Sequence, residues 1–205
     1  MLTTSLGDAF RSFCAREGID YERVRAALRR AYGDADPESL VARFETGRLE
    51  PSDFQEQLAL ALSEGLDHEI PAENLIPRML EDLRLDEEMI DAVRTARARG
   101  IRTALLSNSW GVEYYPHDLL AELFEHIVIS GQVGLRKPDA AIFRMAIERI
   151  DLPPSECVFV DDLHHNIEAA QAAGMRGVLH ERAATTIPEL ERLLGTSLRT
   201  AVDTL

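Results

Sequence analysis

Three apolar runs in the second half of the chain, each about the length of one strand, end in or lead to polar groups. Thr103-Ala104-Leu105-Leu106 runs into Ser107-Asn108-Ser109, and Cys157-Val158-Phe159-Val160 runs into Asp161-Asp162. The middle run, His126-Ile127-Val128-Ile129, leads through Gly131 to Gly134-Leu135-Arg136-Lys137-Pro138. Segments with the three-and-four spacing of amphipathic helices surround them: Met89, Ile90, Val93 and Ala96, ending at Gly100; Phe143, Ala146, Ile147 and Ile150, begun by Pro138; and Ile167, Ala170 and Gln171, closing at Gly174. A shorter run, Gly177-Val178-Leu179, follows. Strands apolar on both faces and separated by helices require a parallel sheet covered on both sides. Right-handed crossovers then predict a doubly wound, Rossmann-like α/β sheet with its ligands at the carboxyl ends of the strands. A hydroxyl (Ser107), an ammonium (Lys137) and a carboxylate pair (Asp161, Asp162) are thereby expected on one rim.

The first half has a different texture. From about Ser5 to Leu85 the spacing is helical throughout: Phe10, Phe13 and Cys14 line one face, Val24, Ala27 and Leu28 a second, and Phe54, Leu58, Ala61 and Leu62 a third. Glycines and prolines, among them Gly18, Gly33, Pro37, Gly47, Pro51, Gly65 and Pro71, punctuate these segments. Ser5-Leu6-Gly7-Asp8 reads as a helix-capping box. The expected organisation is a small all-helical module over residues 1–85 and the sheet-bearing core over 86–205, with a frayed tail after Leu194.

Composition narrows the function. Of 205 residues, 45% are hydrophobic and 28% charged, values of a globular chain. Apolar stretches such as Leu58 to Leu62 are far too short to span a bilayer. A net charge of −14 repels phosphate backbones and argues against nucleic acid as a partner. Two cysteines, Cys14 and Cys157, make no disulfide framework, and the first residues show no secretory pattern, so a cytoplasmic location is expected. Of the 22 basic residues only Lys137 is lysine. A GC-rich coding sequence favours arginine in this way. A lysine kept at the rim therefore points to a need for a compact ammonium rather than a broad guanidinium.

Adjacent carboxylates are costly unless a cation compensates them, and either Lys137 or a divalent metal would do so. Hard oxygen donors of this kind suit Mg²⁺, which keeps waters and a substrate phosphate. Ser107 followed by Asn108 offers the donors that a phosphoryl oxygen needs. Trp110, Tyr114 and Tyr115 follow in the next loop, where they would either shape a pocket or pack on the helical module. His164-His165 reads as a solvated helix start and Cys157 as inert core. No Ser/His/Asp elbow, dinucleotide fingerprint or P-loop is present.

These residues resemble the haloacid dehalogenase-like hydrolases, in the subfamily with a helical cap. Leu105-Leu106-Ser107-Asn108 is similar to the family's second motif and Arg136-Lys137-Pro138-Asp139 to its third. Val158-Phe159-Val160-Asp161-Asp162, with Asn166 following, is similar to its fourth, and Phe44-Glu45-Thr46-Gly47 with Phe54 resembles the cap region. The resemblance implies an aspartate nucleophile, a covalent aspartyl intermediate and Mg²⁺, and thus a phosphatase of a small phosphorylated metabolite. It assigns phosphate binding to Ser107, Asn108 and Lys137, catalysis to Ser107, Lys137, Asp161 and Asp162, and metal binding to Asp161 and Asp162. Met1-Leu2-Thr3-Thr4-Ser5 resembles the residues just after the first motif, so the central first strand and its nucleophile are expected upstream of residue 1, and the chain as given is expected to be inactive. A metal-free 2-haloacid dehalogenase and a catalytically inactive binding protein are the alternative readings; the paired carboxylates weigh against the former.

Overall fold

Residues 2–32 and 36–199 are described by the structure, a computed structural model. Five helices come first: α1 (Leu6–Glu17), α2 (Tyr21–Tyr32), α3 (Leu40–Glu45), α4 (Pro51–Ser63) and α5 (Leu75–Leu80). Ser5 caps α1 by accepting from the Asp8 amide at 3.4 Å. The Asp8 carboxylate turns to Arg11 at 2.7 Å instead of reaching back, so the predicted capping box is made on one side only. Gly18, at φ 67°, closes α1, and Pro51 opens α4, where its missing N–H costs nothing. The apolar faces read from the sequence bury together, with Phe13, Phe54, Leu58, Leu75 and Ile76 wholly enclosed. Phe44 stacks on Phe54 at 3.9 Å.

The remainder alternates helix and strand: α6 (Glu87–Ala98), β1 (Ala104–Ser107), α7 (His117–Leu123), β2 (His126–Ile129), α8 (Ser130–Val133), α9 (Ala140–Ile150), β3 (Val158–Asp161), α10 (His164–Ala172), β4 (Arg176–Leu179) and α11 (Ala183–Leu194). β1 pairs with β2 in parallel, Ser107 opposite Ile129, and β3 pairs with β4, Asp161 opposite Leu179. The strand side chains alternate as the pleat requires. Phe159 joins Leu106, Val128, Ile142 and Phe143 beneath α9 and α10, whereas Val158 and Val160 face Met89, Ala92 and Ile187 of α6 and α11. Helices thus cover both faces, and the fold is the doubly wound α/β arrangement with a helical cap.

Among the described residues the strands form two separate two-stranded ladders rather than one sheet. β1 and β3 each keep one edge without a partner strand, and both are largely half-buried. The chain enters and leaves the helical cap side by side: Thr3 bridges Leu85 antiparallel, with the Thr4 amide on Arg84 O at 2.8 Å and the Asp86 amide on Leu2 O at 2.9 Å. Of the tail expected to fray after Leu194, residues 200–205 lie outside the described residues, and 195–199 pack on the core. Leu198 is buried with α6 and α11, and its amide donates to Glu191 at 2.8 Å. No helix among the described residues is long and apolar enough to cross a membrane.

Candidate active site

Parallel pairing aligns β1 with β2 and β3 with β4, and the carboxyl ends of β1 and β3 carry polar groups. Ser107 ends β1 and Asp161 ends β3. Lys137 lies in the turn between α8 and α9, after Gly134 closes α8 at φ 69°, and its peptide to Pro138 is cis. Its ammonium lies 2.6 Å from Asp161 Oδ2, with the two side chains only 10% and 4% exposed. The other carboxylate oxygen of Asp161 accepts from Asn166 Nδ2 at 2.9 Å and from the Leu163 amide at 3.0 Å. Burial pushes the Asp161 carboxyl up, but the Lys137 charge and these hydrogen bonds outweigh it and hold the group below the usual carboxylate range. Asp162, next in the chain, is exposed, as are His164 and His165.

Asn108 has a role that its place in the sequence did not suggest. Its Oδ1 accepts from the Lys137 amide at 2.8 Å while its Nδ2 donates to Lys137 O at 3.0 Å, so the side chain clamps the peptide that carries the ammonium. Ser107 Oγ and the Tyr115 hydroxyl lie 2.8 Å apart, either able to donate to the other, and each lies 3.3 Å from Asn108 O. Burial raises the Tyr115 pKa, so this phenol stays protonated and able to donate. Trp110 instead packs into the cap, 5.5 Å from Phe10 and 5.6 Å from Phe54, and Tyr114 is exposed.

The cap supplies a buried acid to the same neighbourhood. Glu45, the last residue of α3, has a side chain 3% exposed, and its Oε2 lies 3.0 Å from Arg136 Nε and 3.2 Å from Asn108 Nδ2. Burial, only partly offset by Arg136, a hydrogen bond from Trp110 and Lys137, pushes its pKa up to about 7. Ser130 Oγ fastens the junction, donating to Glu45 O at 2.5 Å and accepting from the Ser109 amide at 2.8 Å. Just beyond, Gly47 at φ 70° lies so close to Gly131 that an added Cβ would fall 2.5 Å from Gly131 O. The structure therefore joins Asn108, Lys137 and Asp161 by direct contacts, while Ser107, next to Asn108, bonds Tyr115, and Asp162 follows Asp161 at the surface. Glu45 and Arg136 join them; both lie in segments quoted for the family resemblance, which gave neither of them a role.

Among the described residues no three His, Cys, Asp or Glu side chains cluster as a complete metal cage. Mg²⁺ needs only one or two carboxylates when waters and a substrate phosphate complete its shell. The oxygen donors of Asp161 and Asp162 fit that ion, Asp162 being the less committed of the two.

The family model for haloacid dehalogenase-like hydrolases matches residues 3–174. The chain belongs to this family. Acyl-CoA dehydrogenase family member 10 of Mus musculus is 31% identical over 83% of this haloacid dehalogenase-like hydrolase, which spans only 16% of that protein. The sesquiterpene phosphatase astK of Aspergillus oryzae is 29% identical over 75% of the chain and 78% of its own length. A family enzyme from Bacteroides thetaiotaomicron, solved with magnesium and inorganic phosphate, shares the fold at a TM-score of 0.56 and 19% identity, over 79% of this chain and 87% of that one.

Proposed function

We propose that this hydrolase is a Mg²⁺-dependent phosphatase of a small phosphorylated metabolite, acting through an aspartyl intermediate in the cytoplasm. The buried Lys137–Asp161 pair at 2.6 Å, held through Asn108 to the strand end that bears Ser107, carries the reading. Such a pair anchors the Lys137 ammonium at the rim, where a phosphoryl group brings negative charge. Ser107 donates to a phosphoryl oxygen, with Tyr115 directing its hydroxyl. Lys137 neutralises the charge that builds up during transfer, and Asp161 holds the ammonium in place. Asp161 and Asp162 would hold Mg²⁺, which when bound supplies further positive charge to the phosphoryl oxygens. Asn108 fixes the Lys137 peptide and leaves its own backbone amide for the phosphate. Residues 1–85 form the cap over a core of 86–205.

Hydrolysis of an aryl phosphate by the full-length protein, with Mg²⁺ and with a chelator, tests the reading. Turnover is expected only with Mg²⁺, and no hydrolysis of any phosphate ester would refute the phosphatase.

A further inference from the structure

We propose that Glu45 is a positioning residue which, from the helical cap, sets the peptide carrying Lys137 against Asp161. This inference rests on the phosphatase reading of the rim and adds to it a control exerted by the cap. The chain of contacts is short. Glu45 Oε2 accepts from Asn108 Nδ2 at 3.2 Å, and the same amide group donates to Lys137 O at 3.0 Å while its oxygen takes the Lys137 N–H at 2.8 Å. Lys137 then reaches Asp161. An ionised Glu45 attracts the Asn108 amide more strongly than a neutral one, because a charge-assisted hydrogen bond is about twice as strong as a neutral one. Arg136, adjacent to Lys137, is drawn to the same oxygen at 3.0 Å, so both ends of the Arg136–Lys137 segment answer to one carboxylate.

The groups facing Glu45 come from three places. Arg136 and Lys137 in the turn before α9 pull its proton off, while Tyr32 of α2, with its ring under the Arg136 guanidinium, and Tyr115 in the loop after β1 are neutral and held so by burial. The carboxyl changes charge near pH 7, so the clamp tightens as pH rises through neutrality.

The amide of Lys137 reports this directly. On ¹⁵N-labelled protein its shift should inflect near pH 7 in the wild type, stay flat in Glu45→Gln, and inflect at higher pH in Arg136→Gln, where the cation that favours ionisation is gone. The same inflection in wild type and Glu45→Gln would overturn the proposal, as would an unmoved inflection in Arg136→Gln. On an aryl phosphate, Glu45→Gln should lower kcat roughly ten- to hundredfold with KM little changed, since displacing a reacting group by a fraction of an ångström is enough for that. It should also remove any rise of kcat through pH 7. An unchanged kcat and pH profile would overturn the coupling. A wild type that hydrolyses no phosphate ester refutes the phosphatase reading, while the amide shifts still decide whether Glu45 controls Lys137.

Discussion

Lys137 is almost wholly enclosed, with its ammonium 2.6 Å from Asp161 and 5.5 Å from the centre of the Phe159 ring. A guanidinium does not fit between them without displacing one, so Lys137→Arg should be nearly as inactive as Lys137→Ala. Each is expected to lose about 10²–10³ in kcat on an aryl phosphate, as when other groups at a charge-developing centre are removed. Wild-type turnover by the arginine variant would dismiss the size argument. Asp161 and Glu45 pull the pH dependence of stability in opposite directions. Asp161 has a lowered pKa, so its contribution is complete above its unfolded value and is lost as pH falls through the folded one. Glu45 has a raised pKa, so folding holds its proton, and stability drains away as pH rises from its unfolded value to about 7. The loss amounts to about 3 kcal/mol at full ionisation. Urea unfolding at pH 5 and pH 8 should show Glu45→Gln escaping most of that loss, because its amide does not ionise while its oxygen still accepts from Asn108. Equal losses in wild type and variant would remove the raised pKa. Lys137 was legible as the only lysine in the sequence; Glu45 was legible only as part of the cap segment Phe44-Glu45-Thr46-Gly47, since its burial comes from residues far away in the chain.

At the scale of elements, the turn after α3 docks the cap on the core, and two glycines make that contact possible. Gly47 and Gly18 both hold left-handed backbone, at φ 70° and 67°, but only Gly47 lies against another chain segment. Gly18→Ala should cost about the 1 kcal/mol of a strained backbone, whereas Gly47→Ala adds a collision with Gly131 O and should cost about 1–3 kcal/mol more. Thermal unfolding of the two variants checks this, and equal shifts would show that the close approach has no energetic consequence. The four strands and the faces of α1, α2, α4, α6, α9 and α10 were readable from period and punctuation, whereas α3, α5, α7 and α11 were not singled out. The short α8 after β2 was not, because Ser130-Gly131-Gln132-Val133 has too few apolar positions to show a period.

For the whole molecule, the split into two ladders is the dominant fact. Among the described residues β1 and β3 each keep one largely half-buried edge without a partner strand. The sequence alone determined the doubly wound fold, the helical cap and the rim bearing Ser107, Lys137 and Asp161. Strand and helix periods, with the handedness of crossovers, leave few other arrangements for such a chain. The tertiary structure alone decided what each side chain does there. It turned Asn108 onto the Lys137 peptide, set Tyr115 on Ser107, drew Trp110 into the cap and buried Glu45 against Arg136. Those contacts join residues far apart in the chain, and burial is what shifts the proton affinity of Glu45. Neither distance in space nor burial is written in local spacing.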